Sequence, residues 1–449
     1  MKTSRQKFIK SFRLVFIALI TNITFSALAQ LPTIQYLRQY DKTGLNIFEP
    51  TKHDTTPFTG MKVRIGGDFA LDYQALRDQN NAVPVFVKGV NINQLMPLTN
   101  GFDLAMANLN IDVQLEDGLR LNLAMYLSTR HHTDTWVKGG YIQIDKLLMF
   151  KSPVIDDIMK NFTIKSGDYE MDYGDQHFRR TDGGNGIYNP FVENYIMDEI
   201  GIEIGSEIYY HPKNGIIAMV GLSDGELDPL VIAPTKVDTA TGILNTYAPA
   251  FHAKLGYDKQ VNSDFRFRIT GSFYEDKSAA ANPLYFGDRT GSHYFYVMEN
   301  TAATSDVNAW SGRYNPQFSE EVSTFMINPF IKYKGLEFFG TYEMAEGRMI
   351  TEPTMRKATQ YAADLIYRFP QKTEDFWVGV RYNSLTTTLP LNPTEVTINR
   401  EVGSIGWFAS KNILLKLEYV NQQYLNFPST DIRSGGKFNG FMFETAIGF

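Results

Sequence analysis

From residue 61 onward, hydrophobic and polar positions alternate with period two in block after block. Between Met61 and Gln74, Val63, Ile65, Phe69, Leu71 and Tyr73 share one face, and Lys62, Arg64, Asp68, Asp72 and Gln74 share the other. That is a strand with one apolar and one polar side. The same pattern predicts strands at 62–74, 103–115, 119–129, 134–147, 162–170, 197–210, 214–223, 248–258, 264–275, 322–333, 335–346, 356–368, 375–386, 395–408, 412–423 and 435–449. Most reach the roughly nine to eleven residues that a tilted membrane strand needs. An even set of alternating strands predicts an all-β fold, a transmembrane antiparallel β-barrel of sixteen strands over residues 62–449.

The connections sharpen this expectation. One set is mostly short, such as Glu116-Asp117-Gly118, Lys334-Gly335 and Ser410 to Asn412; the other is mostly long, at 77–102, 171–196, 224–247 and 276–321. Outer-membrane barrels have short periplasmic turns and long external loops. Two connections depart from the rule: 148–161 is long where a turn is due, and 130–133 is short where a loop is due. Tyr209, Tyr210, Tyr257, Phe265, Tyr333, Phe338, Tyr367, Phe376, Trp377, Trp407 and Phe408 cluster beside the short turns. An aromatic belt at one rim explains that clustering. A β-sandwich, the alternative, gives no reason for it.

Composition narrows the class. The 449 residues are 43% hydrophobic and 14% aromatic, without a cysteine. Mean hydropathy is −0.24. A helical membrane bundle needs runs of about 20 apolar residues, and the chain approaches one only at its start. The lack of cysteine excludes disulfides and thiolate metal sites. Residues 1–29 combine basic Lys2, Arg5, Lys7, Lys10 and Arg13, an apolar stretch from Leu14, and Ala27-Leu28-Ala29. That is a secretory signal peptide. Its removal takes five positive charges and shifts the net charge from −6 to −11, the reverse of a nucleic-acid footprint. Residues 30–61 are then a periplasmic N-terminal extension or a short plug, too small for a globular one.

If the apolar face meets lipid, the polar face lines the lumen. It supplies Arg64, Asp68, Asp72, Arg120, Asn122, Glu199, Glu203, Glu207, His252, Lys254, Arg266, Arg268, Glu337, Glu343, Asp364, Arg381, Lys416, Glu418 and Glu444. Such a wall suits a wet channel for small hydrophilic solutes or ions. The most unusual segment, 167–198, follows the fifth strand and holds Asp168, Glu170, Asp172, Asp175, His177, Arg179, Arg180 and Asp182. Charges of both signs at a throat set ion preference. Arg179 and Arg180 could equally be salt-bridged, holding the loop to the wall. His131-His132 reads as a solvated rim rather than a metal site, and Gly183-Gly184-Asn185-Gly186 as a loop tip rather than a phosphate cradle.

Two stretches carry resemblances. Phe441, Phe443, Thr445, Ile447 and the terminal Phe449 alternate along the last strand. This resembles the C-terminal recognition strand of outer-membrane proteins, which implies that barrel-assembly machinery reads Phe441, Phe443, Ile447 and Phe449. The run from Tyr173 to Asn189 resembles porin-like outer-membrane proteins of the Bacteroidota, and 165–175 is distantly like the phosphate-selective porin type. The acidic lumen departs from the basic ladder of that second type, which puts phosphate selectivity in doubt. The resemblance implies a Gram-negative outer membrane, an inward-folded third outer loop and a homotrimer. The combined expectation is passive diffusion with no cofactor, no metal and no catalytic residue. The alternatives are an interaction or assembly protein with its barrel closed by loop 276–321, and an outer-membrane hydrolase working near His252 or His177.

Overall fold

The computed structural model describes residues 32–449, apart from 50, 51, 53, 129, 131–133, 228–230, 232, 288, 289 and 309. The expected signal peptide and the His131-His132 pair lie outside the described residues. The strands are β1 (Lys62–Gln79), β2 (Phe86–Val87), β3 (Val90–Asn91), β4 (Gly101–Glu116), β5 (Leu119–Ser128), β6 (Trp136–Ile144), β7 (Phe162–Glu170), β8 (Ile202–Tyr210) and β9 (Ile216–Ser223). They continue as β10 (Ala250–Gln260), β11 (Phe265–Asp276), β12 (Glu321–Tyr333), β13 (Leu336–Arg348), β14 (Arg356–Phe369), β15 (Phe376–Thr388), β16 (Glu395–Ser410), β17 (Ile413–Leu425) and β18 (Lys437–Gly448). β2 and β3 form a small hairpin in the first long loop. The other sixteen close a barrel in chain order.

Closure comes from antiparallel pairing of β1 with β18, from Asp68 opposite Gly448 to Gln79 opposite Lys437. With every strand paired on both sides, no edge remains, as a hydrocarbon surround requires. Alternation sorts the faces. Val63, Ile65, Val220, Leu255, Leu365, Val380, Leu417 and Phe441 are exposed outward, while Asp68, Glu203, Arg268, Glu337, Arg400 and Lys416 are buried inside. An apolar exterior on a closed sixteen-strand barrel makes this a transmembrane β-barrel of the bacterial outer membrane.

The structure corrects some details. The strand expected at 197–210 begins only at Ile202, because the main chain of Met197 is held on both sides by the Gln360 amide (2.9 and 2.7 Å). The long turn after β6 contains a helix, Pro153–Met159, capped by Ser152. The aromatic belt is thinner than expected. Tyr367, Phe369, Phe376 and Trp407 stack along the outside at 5.8–6.1 Å between ring centres. Tyr209, Trp377 and Phe408 instead point inward and are buried. Trp377 and Phe408 each follow an outward neighbour, Phe376 and Trp407, so the period of two sends them to the opposite face.

Candidate functional site

Two long loops and the N-terminal segment pack inside the barrel. The connection from β7 to β8, residues 171–201, is almost entirely buried. Its main chain, having no ladder of its own, is hydrogen-bonded by lumen-facing side chains, as buried backbone requires. Asn383 accepts from the Ile196 amide at 2.7 Å and Glu418 from the Val192 amide at 2.7 Å. Ser404 donates to the Pro190 carbonyl at 2.8 Å and Arg400 to that of Asn194 at 2.6 Å. Gly174 turns the chain at φ +72°, a region that favours glycine. A Cβ there would collide with Met326.

Ion pairs finish the attachment. The Arg268 guanidinium donates to Glu49 twice at 2.7 Å and to Asp175 at 2.7 and 2.8 Å. It therefore clamps the N-terminal segment and the 171–201 loop to β11. Beside it Lys254 pairs with Asp172 and donates to the Gly174 carbonyl at 2.6 Å. Arg179 reaches Glu337 at 2.7 Å, and Arg180 reaches Asp198 at 2.7 Å and Asp182 at 3.0 Å.

Arg313, from the β11–β12 connection, meets Glu193 at 2.6 Å and both Asp182 and Asp198 at 2.8 Å. That connection also buries Leu284, Tyr294, Val297 and Phe318 in one apolar cluster with Ile187, Phe191 and Ile196 of the 171–201 loop. At the short-turn end, the Lys42 amide donates to the Lys411 carbonyl at 2.7 Å, and the Asn46 amide group donates to Glu337 at 2.7 Å.

One side of the lumen holds a cavity. It has a volume of about 270 Å³ and lies between the in-folded loop and the wall of β4 to β8. Its lining runs from Thr163, Gln143 and His211 near the short-turn end to Lys138 and Glu170 near the long-loop end. The Lys165 ammonium lies 4.7 Å from the Tyr141 ring centre and 3.7 Å from that of Tyr169. Carboxylates of Glu49, Asp168, Glu170 and Asp172 are matched by Arg38, Arg120, Lys138 and Lys165. The lining is therefore balanced in charge and combines tyrosine rings and apolar side chains with amide groups, which suits molecules without strong net charge.

The eight residues singled out in 168–182 thus divide. Asp168, Glu170, Asp172 and His177 line the cavity, Asp172 while also paired with Lys254, whereas Asp175, Arg179, Arg180 and Asp182 lie away from it, held in ion pairs. The lumen-wall group points inward, mostly onto the loops. Arg64 donates to Gln39, Asp68 accepts from the Ile187 amide at 3.1 Å, and Arg120 meets Asp112 at 3.1 Å. Glu203 accepts from Tyr274 at 2.7 Å, Arg266 pairs with Asp258 at 2.6 Å, and Arg381 with Asp364 at 2.7 Å. Phe441, Phe443 and Phe449 are exposed on the outer face of the final strand and terminus. Glu49, Glu193, Asp198 and Arg313 were not legible as site residues, since the partners of each are far away in the chain.

No family model matches the chain, and neither does any curated protein. Among solved structures it is similar to an anion-selective porin from Comamonas acidovorans, at 10% identity over 87% of this chain and 100% of that one, TM-score 0.48. It is similar also to the outer membrane channel DcaP of Acinetobacter baumannii, at 10% identity over 88% and 99%, TM-score 0.48. OmpT, an outer membrane protein of Vibrio cholerae, gives 10% identity over 88% and 99%, TM-score 0.47. The barrel reading stands on this chain's own strand pairing.

Proposed function

We propose that this protein is a porin-like outer-membrane channel for passive diffusion of small hydrophilic solutes, narrowed by residues 171–201 as constriction loop. The observation that supports the reading best is the cavity along β4 to β8, balanced in charge and extended along the wall. In this reading residues 32–61 are a short plug entering from the periplasm, and Asp168, Glu170, Asp172 and His177 touch the passing solute. Asp175, Arg179, Arg180 and Asp182 hold the loop in place. Phe441, Phe443, Ile447 and Phe449 present the assembly signal, and the oligomer is a homotrimer. The proposal gives neither histidine a catalytic role: His252 faces Glu207 at 3.0 Å and His177 faces Asp172 at 3.3 Å, and the Nδ1 of each imidazole is buried without a hydrogen-bond partner rather than set against a serine hydroxyl as a triad requires.

A second reading, a closed barrel serving interaction or assembly, draws on the apolar residues that the β11–β12 connection packs inside. Planar-bilayer conductance of the folded barrel separates the two. The channel reading expects small open steps with weak ion preference, and Glu170→Lys shifts the reversal potential towards anions. A folded, heat-modifiable barrel that stays electrically silent overturns it and leaves the closed barrel.

A further inference from the structure

At the short-turn end the chain leaves β6 after Ile144 and rejoins the wall only at Phe162. Both ends of the excursion are pinned. Asp145, buried, pairs with Lys52 at 2.9 Å and accepts from Gln143 at 2.8 Å. The Asn161 carbonyl accepts from the His211 amide at 2.8 Å. Between these points lie a 3-10 turn, Leu148–Phe150, and the helix Pro153–Met159.

The helix is amphipathic. The helical period places Val154, Ile158, Ile155 and Met159 in one arc, with Asp156, Asp157 and Lys160 opposite. The barrel covers only half of that arc. Met159 is 5% exposed and Ile155 is half-buried, whereas Val154 and Ile158 are 69% and 52% exposed. The preceding turn adds Leu148, Met149 and Phe150 at 43%, 60% and 59%. Apolar side chains left bare in such a group mark a contact surface, unlike single exposed residues.

What covers them follows from where the segment hangs. Ile144, Ile164, Ile208 and Val220 stand opposite one another in successive strands and form one outward, lipid-facing row. Next to it the Phe162 and Tyr210 rings meet at 5.0 Å, a pair suited to the headgroup level. The segment leaves from Ile144 and returns at Phe162, so it continues the apolar surface that lipid already covers. Its lysines are served within the chain: Lys146 pairs with Asp117 at 2.7 Å and Lys160 with Asp157 at 2.8 Å. We infer that residues 147–158 are an interfacial foot, laying Leu148, Met149, Phe150, Val154 and Ile158 into the periplasmic leaflet of the outer membrane. Such elements bury their apolar side about 5–10 Å into the boundary between headgroups and acyl chains. The contact is apolar, so neutral lipid suffices. The foot steadies the β6–β7 seam, which pairs only over Gly140–Ile144 against Asp168–Ile164.

The inference needs the barrel in a membrane but no conducting lumen, so it stands or falls apart from the channel reading. The chain has no cysteine. Met149→Cys, Val154→Cys, Asp156→Cys and Leu365→Cys therefore each place one nitroxide on the full barrel, reconstituted in phosphatidylcholine vesicles. Collision with oxygen reports lipid, and collision with a water-soluble nickel chelate reports water. Labels at 149 and 154 are expected to prefer oxygen, at a shallower depth than the lipid-facing label at 365, while the label at 156 prefers nickel. Adding anionic lipid should change none of these preferences. Nickel access at 149 and 154 equal to that at 156 overturns the inference and leaves the patch to a soluble periplasmic partner. Loss of access to both probes, with spin–spin broadening between labels, also overturns it and assigns the patch to a second copy. If Val154→Cys does not fold, the label at 149, outside the helix, decides alone.

Discussion

Arg268→Met removes one guanidinium and leaves two carboxylates facing each other. In the native barrel Arg268 makes four short bonds, two to Glu49 and two to Asp175, with every participant buried. Lys254 remains, at 3.5 Å from Glu49 and 3.2 Å from Asp175, and it already serves Asp172 and Gly174. Breaking a buried pair by deleting one partner costs about 3–5 kcal/mol, because the other charge stays buried and uncompensated. Global unfolding need not carry that cost. Glu49 belongs to the N-terminal segment and Asp175 to the 171–201 loop, so releasing either relieves the repulsion. A cost of about 3–5 kcal/mol multiplies the population of a released state by roughly a hundred to several thousand.

Hydrogen exchange by mass spectrometry should show residues 44–49 and 172–180 losing protection together, with the β12–β18 wall unchanged. Planar bilayers should show larger conductance steps or noisier ones. Unchanged protection in both segments, with less than about 1 kcal/mol lost in urea unfolding, would refute the argument that this arginine holds the lumen contents in place.

Gly406→Val drives a Cβ into the buried Trp377 ring; overpacking of this kind costs about 1–3 kcal/mol, read by urea unfolding with a shift in tryptophan emission. Val380→Arg puts a charge on the lipid-facing side and should cost about 2 kcal/mol in refolding titrations, less if the site lies near the headgroups. Burial raises Glu299, in the β11–β12 connection, to about 7. The native form thus holds a proton that the unfolded chain releases near its ordinary value of 4.5. Packing around Glu299, Asn308 and Ser311 should therefore weaken as pH rises from about 4.5 to about 7 and level off above. Glu299→Gln should abolish that trend in hydrogen exchange of residues 299–311.

The barrel was legible in the sequence because lipid imposes one rule on every strand. Val63 and Ile65 face out and Arg64 faces in for the same reason as Val378, Val380 and Arg381 hundreds of residues later. The lumen was not legible to the same degree. Asp175 and Glu170 look alike in the chain, yet one is locked between Arg268 and Thr270 and the other borders the cavity. That difference depends on how two loops fold against a wall built from strands far away in sequence. Polar alternation says that a side chain faces inward. It does not say whether water or another segment of the chain meets it there, and at Lys416 and Arg400 it is backbone carbonyl.

The seam between β1 and β18 also bears on the order of assembly. Residues 186–191 are gripped by Asp68 from the first strand and by Lys416 from β17. His293 sits between Asp72 and Glu444, which face each other across the seam itself. Neither grip is complete until the two ends of the chain have met. A cylinder sealed first would have to thread its filling through a mouth already crowded by its own loops. The contents and the closure are therefore thermodynamically coupled: the seam strands complete their native contacts only with residues 186–191 and His293 in place.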